Sequence, residues 1–238
     1  MFSNPKFQTL KEEAYLANME IPKQKLAIYT FGNVSAIDRT EGVIAIKPSG
    51  IPYDQLKVSD MVLVDLDNKV VDSKMRPSSD TKTHVLLYNH FGTIGGICHT
   101  HSTYAVAWAQ AIQPIPNLGT THADHLTPSV PVTDVMTDAM ILGDYEHETG
   151  VQILDLFKKH NLSPEEVEMV LVACHGPFTW GKNAAKAVYN AGVLEEIAKM
   201  AYLTRQINPS VSEIKQSLKD KHYFRKHGVG AYYGQEGY

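Results

Sequence analysis

Two apolar stretches decide the architecture of this chain: Gly95-Gly96-Ile97-Cys98-His99-Thr100-His101-Ser102 and Val170-Leu171-Val172-Ala173-Cys174-His175-Gly176-Pro177. The first reads as a strand. Residues two apart on a strand share a face, so His99 and His101 stand side by side. The second reads as a neighbouring strand that carries His175 and ends at Gly176-Pro177. Three neutral imidazoles converging from two strands form an open divalent-metal site, with one position left for water or substrate. Such a site performs Lewis-acid chemistry on an oxygen-bearing substrate. An H-x-H pair alone is a weak signal in a chain with eleven histidines. The flanking glycines strengthen it, because glycine and proline sit where backbone approaches a ligand or a ladder ends. Cys98 and Cys174 each precede a candidate ligand. On a strand they face away from it and read as small buried hydrophobes.

Working outward, Pro5 to Met19 places Phe7, Leu10, Ala14 and Ala17 at helical spacing. Strand-like pieces follow at 27–30, 43–46 and 61–64, with Asp67-Asn68 turning the chain before Val70-Val71. Asn33 and Ser35 read as loop. Pro77-Ser78-Ser79-Asp80 starts a helix through Tyr88, with serine caps and an acid in the first turn. Ser102 caps a helix from Tyr104 to Gln110. Residues 114–131 read as a long polar loop holding Gly119-Thr120-Thr121-His122-Ala123-Asp124, and such loops are often functional. Helices follow from Thr137, over 148–160, from Asn183 to Arg205 and from Ser210 to Phe224. These elements do not repeat as βαβ units. The predicted fold is therefore α/β of the α+β type, with a central, mostly antiparallel sheet flanked by helices. No linker, repeat or charge block divides the chain, so a single domain over 1–238 is expected.

A net charge of −4 without a long basic run argues against nucleic acid or an acidic membrane as partner. No apolar run approaches the roughly 20 residues that span a bilayer. The first residues lack the apolar core of a signal peptide. Two cysteines, each beside a candidate ligand, make no disulfide framework, and a cytoplasmic location is expected. A P-loop and a dinucleotide fingerprint are both absent.

Three loops, Gly32-Asn33, Ser49-Gly50 and Ser78-Ser79, offer small donors suited to a phosphate. Lys47, directly after a strand, adds positive charge or is a solvated strand-end lysine. Asp80 is a carboxylate favoured by the helix dipole, or a further metal ligand. Asp124 is a candidate general acid or base. The aromatic tail from Lys226 to Gln235, with Tyr232 and Tyr233, reads as ordered.

Taken in order, Gly32-Asn33-Val34-Ser35, Lys47-Pro48-Ser49-Gly50, Pro77-Ser78-Ser79-Asp80, His99-Thr100-His101-Ser102, Gly119 to Asp124, His175-Gly176-Pro177-Phe178 and Lys221-His222-Tyr223 resemble the class II aldolase / L-ribulose-5-phosphate 4-epimerase family. The resemblance runs over essentially the whole chain and is closer to the 4-epimerase branch. It implies a three-layer α/β/α fold and a homotetramer with active sites between subunits. It implies one Zn²⁺ per subunit on His99, His101 and His175, with Asp80 as an additional ligand or base. Gly32, Asn33, Lys47, Ser49, Gly50, Ser78, Ser79 and Thr120 would hold a phosphorylated ketopentose. Asp124 and Tyr233 would carry protons, with Tyr233 and His222 supplied by the adjacent subunit.

The implied reaction inverts C4 of a ketopentose phosphate. C4 is not α to the carbonyl, so its proton cannot simply be removed. Breaking and remaking C3–C4 solves this, provided the resulting negative charge is stabilised. Aldolases of this family carry glutamate where this chain has Asp80, which favours the epimerase. A sibling sugar-phosphate aldolase and a zinc-binding protein without turnover are the alternatives.

Overall fold

The computed structural model describes residues 5–228 and 230–233. Met1 to Asn4, and the tail residues Val229, Gly234 and Gln235, lie outside the described residues. Seven strands form one sheet: β1 (Asn33–Asp38), β2 (Val43–Ile46), β3 (Val62–Asp65), β4 (Val70–Asp72), β5 (Gly96–His99), β6 (Met169–Val172) and β7 (Gly176–Gly181). Their order is β4-β3-β2-β1-β5-β7-β6, and every neighbouring pair is antiparallel. The helices are α1 (Gln8–Lys23), α2 (Thr81–His90), α3 (Thr103–Gln110), α4 (Thr120–Ala123), α5 (Asp138–Leu142), α6 (Tyr145–Lys159), α7 (Ala184–Ile207) and α8 (Gln216–Phe224).

Both sheet faces are covered, which is why the central strands read as unbroken apolar runs rather than alternating ones. Val43, Ala45, Leu63, Val34 and Ala36 face α1 and the first half of α7. Ile44, Ile46, Val62, Val64 and Ile97 face α2 and α6, where Phe91, Phe157 and Trp180 pack ring on ring at 5.3 Å. The expected three layers are present. The buried amide of Asn18 on α1 fastens the first layer to the sheet. Its Nδ2 donates to the Val34 carbonyl at 2.8 Å, and its Oδ1 accepts from the Val34 N–H at 2.9 Å.

Several local expectations are corrected. The strand expected at 27–30 is a turn, because Tyr29 lies in the left-handed region at φ 54° and the chain reverses there. The strand begins at Asn33, so Asn33 and Ser35 belong to β1 rather than to a loop. The neighbour of β5 is β7, not the 170–175 stretch. That stretch supplies β6 and then a tight turn, which carries His175 between β6 and β7. Cys174 is exposed at φ 60° in this turn, while Cys98 is buried as expected. Gly95-Gly96 make room for chain rather than ligand: a Cβ on Gly96 would stand 2.3 Å from the Ala184 amide at the start of α7.

Asp80, not a serine, occupies the cap position of α2. The supposed long loop at 114–131 contains α4 and is closed by Ile115 pairing with Val130. The last helix starts at Gln216 rather than Ser210. The Ile214 N–H donates to the Asn117 carbonyl at 3.1 Å, and Glu213 accepts from the Asn117 N–H at 3.1 Å, which keeps that stretch non-helical. No helix among the described residues is long and apolar enough to cross a membrane.

Candidate metal centre and active site

β5 ends at His99, and two residues on, His101 still points to the same side. The β6–β7 turn brings His175 over from the next pairing. One ring nitrogen from each of His99, His101 and His175 lies within 4.8 Å of the others. The Nε2 atoms of His99 and His101 are 3.2 Å apart. Two nitrogens bound about 2.0–2.1 Å from a tetrahedral ion are separated by roughly 3.3 Å, so the donor set fits a cation such as zinc. His99 is oriented by its surroundings. Its Nδ1 donates to the Pro177 carbonyl at 2.9 Å, which turns Nε2 toward the other two rings. Phe178 stacks on the same ring at 4.2 Å. Burial and the neighbouring His99 push His175 down to about 4 and hold His101 below its ordinary value, so both are neutral at pH 7. Neutral imidazole is the ligating form.

The histidines open into a cavity of about 360 Å³ lined also by Gly32, Asn33, Lys47, Ser49, Gly50, Ser78, Ser79 and Asp80. The three donor loops expected from the sequence therefore converge on the imidazoles. Two of them run side by side: the Ser78 N–H donates to the Lys47 carbonyl at 3.0 Å, and the Ser49 N–H to the Arg76 carbonyl at 3.0 Å. Gly32 at φ 77° lets the backbone close against β5, since a Cβ there would stand 2.9 Å from the His99 carbonyl. Lys47 is not solvated. It is 2 % exposed, with Nζ over the Tyr53 ring at 4.9 Å and its nearest carbonyls at 3.4 and 3.5 Å. Burial pushes its ammonium down to about 8. It is a cation short of partners in a cavity rich in hydroxyl and amide donors, which suits a phosphate.

Asp80 lines this cavity but stands outside the group of three close ligand atoms. Its Oδ2 accepts from Asn33 Nδ2 at 2.6 Å. Burial alone raises its pKa, but His99, His84 and the Asn33 amide outweigh that and hold the carboxyl below the usual range. Asn33 Oδ1 is buried without a partner among the described residues. Sequence reading missed Thr30, Phe31, Tyr145 and Glu146 on the cavity wall. Tyr145 OH lies 3.4 Å from His175 Nδ1. Nothing local marks these residues, because the fold brings them from the α1–β1 reversal and the start of α6.

Thr120, Asp124, His222 and Tyr233 do not line the cavity. They gather where α4 meets α8. Asp124 receives His222 Nδ1 at 2.9 Å, a two-pronged bond from Arg225 at 2.9 and 2.7 Å, and Lys226 at 3.2 Å. Burial would raise this carboxyl, but Arg225, His222 and Lys226 hold it at about 2. The Tyr233 ring lies over Arg225 and Lys226 at 4.8 and 4.5 Å. Asp124 thus stands with the C-terminal groups of its own chain, not with the histidines as expected.

Comparison with known proteins bears on both groups. The family model for the class II aldolase and adducin N-terminal domain matches residues 12–202. The chain is 49 % identical over 229 residues to "L-ribulose-5-phosphate 4-epimerase UlaF" of Salmonella paratyphi B, covering 96 % of this chain and all of that one. The protein of the same name from Salmonella paratyphi C matches with the same identity and coverage. Among solved structures, an L-fuculose 1-phosphate aldolase superposes with a TM-score of 0.74 at 24 % identity, covering 92 % of this chain and 95 % of that one. The L-fuculose-1-phosphate aldolase of Thermus thermophilus gives 0.66 at 22 % identity, covering 86 % and 98 %. At these identities the two structures speak to the fold alone. Match length, identity and architecture agree: the chain belongs to the class II aldolase family.

Proposed function

We propose that this chain is a zinc-dependent L-ribulose-5-phosphate 4-epimerase, an isomerase that interconverts L-ribulose 5-phosphate and D-xylulose 5-phosphate. One observation carries the reading: three metal-competent histidines and three phosphate-suited loops share one cavity, in a chain 49 % identical along nearly its whole length to proteins named for that reaction. In this reading residues 1–238 form one catalytic domain. His99, His101 and His175 hold the metal, with Asp80 beside them as a further ligand or base. A cation held there supplies Lewis-acid stabilisation of charge on substrate oxygens.

The rest falls to the chain's own residues. Lys47, Ser49, Gly50, Ser78, Ser79 and the backbone at Gly32 grip the phosphate. Asn33 has one amide atom spare for a substrate hydroxyl. Cleavage of C3–C4 leaves a two-carbon aldehyde phosphate, which these groups retain while its carbonyl turns to present the other face. Re-addition then restores the bond with C4 inverted, so atoms and electrons balance without a co-reactant.

One proton must leave the C4 hydroxyl and one must return. Asp124 and Tyr233 are the proposed carriers, with His222. Held at about 2, Asp124 is a weak base by itself. Its bond to His222 Nδ1 makes the two a working pair, through which the proton passes. This group lies apart from its own chain's cavity. The reading therefore has a second copy deliver Asp124, Thr120, His222 and Tyr233 together, in a homotetramer with sites between subunits.

Purified zinc-loaded protein incubated with L-ribulose 5-phosphate is expected to form D-xylulose 5-phosphate. No conversion with zinc supplied would reject the reading. Aldehyde trapped at the rate of substrate loss would mark an aldolase instead.

A further inference from the structure

Helix α3 spans the two halves of the histidine triad, and a residue outside the cavity holds it in place. The helix begins at Thr103, two residues after His101. Ser102 occupies its cap position, but the Ser102 side chain makes no capping bond. The half-buried Glu195 of α7 makes it instead. Its Oε1 accepts the Tyr104 N–H at 2.9 Å, and its Oε2 accepts the Ala105 N–H at 2.9 Å. A carboxylate placed there satisfies two of the free amides at a helix start and meets the positive end of the helix dipole. Further along, Trp108 donates its Nε1 to the Ala198 carbonyl of α7 at 2.9 Å. α3 is thus fastened to α7 at two points.

The far end of α3 reaches the third histidine. The Ala109 carbonyl accepts the Cys174 N–H at 3.0 Å. Cys174 lies in the tight turn at φ 60° and immediately precedes His175. Midway along the helix, Val106 packs against the same turn: a Cβ on Gly176 would meet Val106 Cγ2 at 3.5 Å. One short helix, about 12 Å long, therefore runs from the His99-His101 pair to the turn that carries His175.

We propose that Glu195 is a positioning residue for the metal centre. It clamps α3 to α7, and α3 in turn sets the His175 turn at its distance from His99 and His101. With the clamp lost, α3 shifts on α7 and the turn follows, so the three ring nitrogens no longer sit together. Glu195 acts only through the helix. The inference rests on the reading that these histidines hold a metal.

Zinc affinity tests it, measured by chelator competition on the full chain, with urea unfolding of the metal-free form read beside it. Glu195→Ala is expected to weaken zinc binding at least about fivefold, within the range for residues that act on a site through a packed network. Glu195→Gln keeps one acceptor oxygen and should recover part of that affinity. Phe157→Leu, a core change roughly three turns along α6 from the cavity, should lower stability yet leave zinc affinity within about twofold. A smaller loss in Glu195→Ala, or an equal loss in Phe157→Leu, makes Glu195 merely structural and overturns the proposal. Wild type that binds no zinc removes the metal reading itself, whereas tight binding by wild type and variant alike removes only the role of Glu195. If neither Glu195 variant folds, hydrogen exchange decides. Linkage is reciprocal, so zinc should slow exchange of the Tyr104 and Ala105 amides in the unmodified protein at least about threefold. Unchanged rates overturn the proposal.

Discussion

Replacing Lys47 with methionine should make the free protein slightly more stable while destroying its grip on phosphate. Lys47 is 2 % exposed, lacks a carboxylate partner among the described residues and has its pKa lowered from 10.5 to about 8 by burial. At roughly 1.4 kcal/mol per pKa unit, the cost of keeping it charged at pH 7 is capped at about 3 kcal/mol. The cavity is open to water, and screening cuts this to roughly 1–2 kcal/mol. Methionine of similar length removes that cost but also the contact with Tyr53, worth about 0.5–1 kcal/mol. The net expectation is a gain of about 0.5–1 kcal/mol at pH 7 by urea unfolding.

The sign with pH is fixed. The folded pKa is depressed, so below about 8 both states carry the proton and the whole penalty applies. Between about 8 and the unfolded value of 10.5 the unfolded state binds more protons, and wild-type stability rises with pH. The advantage of Lys47→Met should therefore shrink from pH 8 to pH 10. Inorganic phosphate should raise the melting temperature of wild type and not of the variant. A variant that loses more than about 1 kcal/mol at pH 7, or that still responds to phosphate, would refute the reasoning.

Other expectations follow from the same geometry. Gly32→Ala puts a Cβ 2.9 Å from the His99 carbonyl at a φ of 77°; a loss of roughly 1–3 kcal/mol in urea unfolding is expected, with weaker zinc binding. A change below about 0.5 kcal/mol would mean that this approach is not tight. Asp124→Asn should retain full zinc content yet lower the epimerisation kcat by about 10²–10⁴, as removal of a proton-transfer group does. Unchanged kcat would remove Asp124 from the chemistry. The Asp124 carboxyl is depressed to about 2, so the stability it lends to α8 is present above the ordinary carboxylate pKa and lost as pH falls toward 2. Hydrogen exchange in 216–227 should therefore quicken between pH 4 and pH 2, and a flat profile contradicts the assignment.

The parts legible in the sequence were those with local signatures. His99 and His101 are two apart, and any extended backbone sets them on one side. Gly32, Ser49 and Ser78 follow or precede strands and caps, and such positions declare themselves as turns. The apolar runs at 43–46 and 61–64 announced strands. Other parts were hidden because they depend on pairing over distance. β7 reads as Gly-Pro-Phe-Thr-Trp-Gly, a poor strand by composition, and only its pairing with β5 and β6 makes it one. With β7 unseen, the turn at Cys174 looked like strand interior. Tyr145 and Glu146 reach the cavity because α6 packs on α2, which no local pattern encodes. Asp124 was singled out by residue type, as a candidate acid or base. Its partners Arg225 and Lys226 are about a hundred residues away, so its environment could not be read.

X-ray absorption at the zinc edge, on protein loaded with one equivalent of metal, tests the central claim most directly. The account predicts one zinc per chain with three imidazole nitrogens at about 2.0–2.1 Å, completed by oxygen and without sulfur. Fewer than three imidazoles, a sulfur ligand near 2.3 Å or the absence of stoichiometric zinc would contradict it.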